Sequence, residues 1–139
     1  MMNTIFKVTP TTFIEKASTL LSELNVSLPK NHDLIKLSSA NQYAPLQHDW
    51  YLTRLASTLR KIAVKNFEKK NINVETLRSV YGKSKNRGVR PNKHVKASKF
   101  VVVSVLESLK ELNFIENQEK GQLRISGEGL EFIQKVIMQ

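Results

Sequence analysis

The chain contains no cysteine, which excludes disulfides and thiolate metal centres as staples and is compatible with a reducing compartment. Glycine and proline are sparse, five and four in 139 residues, and no linker, repeat or low-complexity tract divides the sequence. No apolar run approaches the ~20 residues a membrane-spanning helix needs; the most apolar stretch, Phe100 to Leu106, is far shorter. Met1 to Pro10 lacks the long apolar core of a secretory leader, so a soluble intracellular domain is expected. Acidic residues are nearly missing from one region. Between residues 54 and 99 only Glu68 and Glu75 occur, out of 12 acids in the chain.

That same region holds 14 of the 22 Lys and Arg. Against two acids this is +12, leaving −2 for the remainder of a chain whose net charge is +10. A near-neutral body with one strongly positive middle repels itself unless a polyanion neutralises it, so nucleic acid is the leading partner. An anionic membrane would instead call for cations on a helix with a wide apolar face, whereas the densest basic stretch here reads as loop.

Apolar residues are 40% of the chain, enough for one domain with a real core. Thr12 with Glu15 reads as a capping box opening a helix whose apolar face is Phe13, Ala17, Leu20, Leu21 and Leu24. Asn25 to Asn31, around Pro29, breaks it, and a short turn follows at Asp33 to Leu37. Asp49 to Asn66 predicts a second helix with Leu52, Leu55, Leu59, Ile62 and Ala63 on one stripe and Arg54, Lys61 and Lys65 on another. Val74 to Tyr81 predicts a short helix with Gly82 in the C-terminal glycine position. Lys83 to Lys96 reads as loop or irregular ribbon, because Gly88 and Pro91 prevent helix. Ala97 to Asn113 repeats apolar residues at three and four despite its valines. Phe114 to Glu116 and Leu123 to Ile125 read as a small hairpin, and Ser126 caps a last helix. The expected fold is mainly α: one winged helix-turn-helix-like domain over residues 1–139 with a small β-hairpin wing, its basic surface concentrated in 54–99.

The run Trp50-Tyr51-x-x-Arg54-x-Ala56-Ser57-x-x-Arg60 resembles the signature of the ribosomal protein S19e family, a small-subunit family of eukaryotes and archaea. Lys36-Leu37 with Ala44-Pro45 resembles the segment before that helix. Val80-Tyr81-Gly82 and Asn86-Arg87-Gly88-Val89-x-Pro91 resemble the family's basic loop, and Val105 to Leu109 and Leu123 to Gly129 its later helix and hairpin junction. The match covers nearly the whole chain in order. One departure is Val103-Ser104, where many members carry a basic pair. The resemblance implies a non-enzymatic protein bound to ribosomal RNA in the head of the small subunit, with a part in maturing that RNA. It implies neighbouring head proteins as further partners, no cofactor, membrane or small-molecule substrate, and a place on cytoplasmic ribosomes, with nucleolar assembly in a eukaryote.

The candidate RNA contacts are Trp50, Arg54, Ser57, Arg60, Lys61 and Lys65 on the helix, and Lys83, Lys85, Arg87, Arg90, Lys93, His94, Lys96 and Lys99 in and after the loop. Lysines serve as point charges on phosphate, while arginines grip phosphate or base edges bidentately, which singles out Arg54, Arg87 and Arg90 for specific contacts. A-form RNA buries its base edges, so shape recognition and stacking on unpaired bases are expected. Each residue has a plainer alternative. Trp50 can pack in the core instead of stacking; Arg60, off the Arg54 stripe, can ion-pair within the protein. Ser57 can be ordinary helix surface, the basic loop a solvated charge run, and Tyr81 reads as a core anchor.

Catalysis finds no foothold. His32, His48 and His94 share no ligand-like spacing with carboxylates, and Gly82-Lys83-Ser84 lacks the glycine a phosphate loop needs five residues earlier, where Leu77 stands. The rival binder is a free-standing winged-helix DNA regulator, but its recognition helix would carry Glu107 and no cation between Phe100 and Leu109. A pure protein-interaction module would predict salt-insensitive function.

Overall fold

The computed structural model describes residues 4–30 and 32–139. The break around Pro29 ends at Asn31, outside the described residues, as do Met1 to Asn3 of the segment read for a leader. The elements run α1 (Thr4–Lys7), α2 (Pro10–Glu23), a 3-10 turn (His32–Leu34), α3 (Trp50–Phe67), α4 (Val74–Val80), β1 (Lys83–Arg87) and β2 (Arg90–Val95). They continue with α5 (Lys99–Glu111), β3 (Ile115–Asn117), β4 (Leu123–Ile125) and α6 (Gly127–Met138). Among the described residues no helix is long and apolar enough to cross a membrane.

The 18-residue α3 is the axis of the molecule, packing on α2, α5 and β4. Its predicted stripe is buried at Leu55, Leu59, Ile62 and Ala63, and Tyr51, Ala56 and Thr58 widen it. Tyr51, 2% exposed, ties α3 to α5: its hydroxyl donates to the Ser104 carbonyl at 2.9 Å and lies 2.7 Å from Ser108 Oγ. Burying that phenol raises its pKa, an effect opposed by the Ser108 bond. α2 buries Phe13, Ala17, Leu20 and Leu21 as its periodicity predicts, but its start differs. Thr9, not Thr12, is the N-cap: its hydroxyl accepts from Thr12 N at 3.4 Å, with Pro10 at the first helical position. The capping-box pattern misread a turn that proline had already begun.

The helical order α3, α4, α5 followed by the β3–β4 wing and α6 is winged-helix-like, as expected. The valine-rich stretch is helical because Val101, Val102, Val105, Leu106 and Leu109 all enter the core, and burial outweighs β-branched propensity. Its helix starts at Lys99, not Ala97. Ala97 N donates to Arg78 O (3.0 Å) and Ser98 N to Leu37 O (2.8 Å), so both residues are held extended by neighbouring segments. Ser126 caps α6 as predicted, accepting from Gly129 N. A Cβ at Gly129 would lie 2.3 Å from the Phe114 carbonyl, so the close packing of α6 on the wing requires glycine there.

The main departure lies between α4 and α5. Lys83 to Val95 is a second antiparallel hairpin, pairing Lys83 with Val95, Ser84 with His94, Lys85 with Lys93 and Arg87 with Arg90. The sequence reads as loop or irregular ribbon here because its side chains do not alternate apolar with polar, the pattern that marks a half-buried strand. Local chemistry forms it instead. Gly88, at φ +75°, is first in a two-residue turn with Val89, the pattern of a type II′ hairpin turn. The register advances three residues on β2 while β1 advances two, and the extra residue sits beside Pro91, which has no N–H for a ladder. Arg87 Nε donates to the Pro91 carbonyl at 2.9 Å across that bulge. Gly82 follows the C-cap Tyr81 of α4, the predicted C-terminal glycine position, but without a positive φ, and its need for glycine is steric. Its Cβ would fall 2.4 Å from Val95 O and 2.8 Å from His94 Cε1, so the hairpin base leaves no room for a side chain.

Candidate nucleic-acid interface

α3 turns its solvent side outward with Thr53, Arg54, Ser57, Arg60, Lys61 and Lys65, a strip with four cations and no acid. Tyr81, just past α4, organises it. The Arg54 guanidinium lies 3.9 Å from the Tyr81 ring centroid and Lys61 Nζ 5.4 Å from it. The Tyr81 hydroxyl meets Ser57 Oγ at 2.8 Å and Thr58 Oγ1 at 3.2 Å. The tyrosine is thus locked at its polar end while its face holds the cations.

Electrostatics mark the strip as unneutralised. Burial lowers the Arg54 pKa, with Tyr81 acting the other way. Lys61 is lowered first by burial, then by the nearby charges of Arg60, Arg54 and Lys65. Arg60 therefore stands within electrostatic reach of the strip, although helical spacing sets it off the Arg54 stripe. It makes no intramolecular ion pair among the described residues, and its Nε is buried without a hydrogen-bond partner.

The β1–β2 hairpin begins two residues beyond Tyr81. Cross-strand partners share a face and residues two apart on a strand repeat it, so Lys83, Lys85, Arg87, Arg90 and Lys93 all project to one side. Two like-charged pairs, Lys85 with Lys93 and Arg87 with Arg90, stand directly opposite one another. Such pairs destabilise a hairpin unless an anion lies over them. His94, paired with Ser84, is on the other face and packs beside Gly82.

The remaining candidates are placed differently. Lys96 Nζ pairs with Glu75 at 3.0 Å, and Arg78 holds the same carboxylate at 3.2 Å, so these cations are already partnered. Those two bonds hold the Glu75 pKa below the ordinary carboxylate value. Lys99 is exposed at the first position of α5. Trp50 is 6% exposed and its indole N–H donates to the His32 carbonyl at 3.3 Å, which makes it a core residue sealing the start of α3. Sequence reasoning missed Tyr81 as the organiser of the strip and Glu75 as a clamp; the signals were an aromatic abutting Gly82-Lys83 and an acid three residues before Arg78.

The family model described as Ribosomal protein S19e matches residues 4–139. The chain belongs to the ribosomal protein S19e family. S19e proteins are structural components of the ribosome and not enzymes. The chain is 37% identical over 139 residues to small ribosomal subunit protein eS19 of Encephalitozoon cuniculi, covering 98% of each chain. It is 34% identical over 124 residues to eS19A of Saccharomyces cerevisiae, covering 88% of this chain and 83% of the relative. The corresponding protein of Emericella nidulans is 38% identical over 114 residues, covering 81% and 74%. The S19e match thus spans both halves of the basic surface, the α3 strip and the β1–β2 hairpin.

Proposed function

We propose that this protein is a structural constituent of the small ribosomal subunit that binds small-subunit ribosomal RNA in the head, as one RNA-binding domain over residues 1–139, and takes part in maturing that RNA. The observation that carries the reading is the hairpin face: five cations side by side, with like charges opposed across the strands and no acid among them. The α3 strip adjoins it through Tyr81. Phosphates of a folded RNA neutralise both at once, releasing counterions and stabilising the exposed hairpin. Arg54, Arg60, Lys61 and Lys65 serve the helix side; Lys83, Lys85, Arg87, Arg90 and Lys93 serve the hairpin. Ser57 acts by holding Tyr81, Trp50 by packing, and His94, Lys96 and Lys99 lie at the margin.

The surface away from the strip and hairpin is near neutral. On the wing Glu116 faces Arg124 across the strands and Glu119 precedes Lys120, while the Val103-Ser104 stretch of α5 is uncharged; these surfaces suit neighbouring head proteins. The protein's place is then on cytoplasmic ribosomes, with nucleolar assembly in a eukaryote. Titrating the protein onto a small-subunit RNA transcript with excess duplex DNA as competitor tests the reading. RNA retention that is lost on reversing Arg54, Arg87 and Arg90 to Glu is expected. Equal displacement by DNA would instead favour a duplex-binding regulator.

A further inference from the structure

Beside the α3 strip runs an open groove of mixed lining. Ile14 of α2, Leu37 and Leu46 of the segment before α3, and Trp50 give it an apolar part. Thr53, Arg54 and Ser57 of α3, with Tyr81, give it a polar and cationic part. Leu46 stands at the rim 95% exposed, in a stretch without regular secondary structure. Arg54 is half-buried here, with no carboxylate paired to it among the described residues and its guanidinium over the Tyr81 ring at 3.9 Å. A desolvated guanidinium without an anion, in a groove that also has an apolar lining, asks for a ligand that has a flat apolar body and a negative charge a few ångströms away.

We propose that this groove receives one unpaired nucleotide of the bound RNA, its base against Ile14, Leu37 and Leu46 and its phosphate on Arg54. The inference rests on the ribosomal RNA reading above and adds to it a single-stranded contact beside the phosphate-tracking strip. An extruded base finds in the groove the apolar contact it loses on leaving its stack, and the Ser57 hydroxyl and Gln47 amide offer polar partners at its edge. The phosphate reaches Arg54 without moving it, because Tyr81 already fixes the guanidinium.

The experiment uses fluorescence anisotropy with the full-length protein and three probes. These are an end-labelled oligouridine, a ribose–phosphate oligomer of the same length lacking bases, and a small-subunit RNA transcript. The oligouridine should bind at least about fivefold tighter than the abasic chain, the factor that burying about 40 Å² of apolar base face supplies. Leu46→Ser, at a position too exposed to support the core, should erase that difference and leave the salt dependence on the transcript unchanged. Arg54→Gln should weaken both oligomers. Equal binding of the two oligomers, or failure of both, alongside tight transcript binding would overturn the groove assignment and leave the RNA reading standing. A base preference that survives Leu46→Ser would also overturn it, by placing the base elsewhere. Failure to bind the transcript would remove the RNA reading itself.

Discussion

Nine cations of the strip and hairpin have no carboxylate partner among the described residues: Arg54, Arg60, Lys61, Lys65, Lys83, Lys85, Arg87, Arg90 and Lys93. If each neutralises one phosphate, the logarithm of the RNA association constant falls with the logarithm of salt at a slope of about −6, taking ~0.7 counterion per contact. A rise from ~50 to ~200 mM salt then weakens binding by several thousandfold, about 10^3.8. Replacing Lys85, Arg87 and Arg90 together with Gln removes three contacts and brings the slope to about −4. Lys96 is the internal control. It already pairs with Glu75 at 3.0 Å, so Lys96→Gln should move the slope by much less than one contact does. The assay is anisotropy or filter binding of a small-subunit RNA transcript over a salt series. An unchanged slope in the triple variant, or a wild-type slope near −1, would refute the assignment of the hairpin face to phosphate.

Other consequences follow from single side chains. Tyr81→Phe removes the hydroxyl bonded to Ser57 and to the 2%-exposed Thr58, and chemical denaturation should show a loss of about 1–2 kcal/mol. Tyr81→Leu also releases Arg54 and should weaken RNA binding further than Phe does. Gly82→Ala forces a methyl against Val95 O and should cost about 1–3 kcal/mol by denaturant titration. Gly88→Ala meets no neighbouring atom and costs only its left-handed backbone, about 1–2 kcal/mol. Glu75 has a depressed folded pKa, so its contribution to stability is complete above the unfolded carboxyl value and is lost as pH falls through the lower folded one. Stability measured against pH should therefore drop below an ordinary carboxyl pKa, and Glu75→Gln should remove that part of the drop. Leu77→Ala, at a fully buried site between α4 and the core, should destabilise by about 2–5 kcal/mol.

The helices were legible because their apolar residues repeat at three and four and meet a common core: Phe13 to Leu21, Leu55 to Ala63 and Val102 to Leu109 all lie where the periodicity puts them. The Trp50-to-Arg60 and Asn86-to-Pro91 motifs made the family legible as well. The β1–β2 hairpin was not, since charge clustering conceals strand character when neither face is apolar. Its Gly88-Val89 turn was the available sign. Contacts far apart in sequence were also out of reach: Lys96 with Glu75 and Tyr81 with Ser57 join segments that no local pattern relates. Trp50 follows the plainer of its two sequence readings, core packing in place of stacking, with its indole N–H donating to the His32 carbonyl and its ring in the core.

The most direct test of the central claim is sedimentation of native extract through sucrose gradients at moderate and high salt, probing for this protein against small-subunit RNA. The account predicts co-migration with the small subunit, abolished when Arg54, Arg87 and Arg90 are all reversed to Glu while the purified variant still folds. A wild-type protein that stays at the top of the gradient at low salt, free of ribosomal RNA, would contradict it.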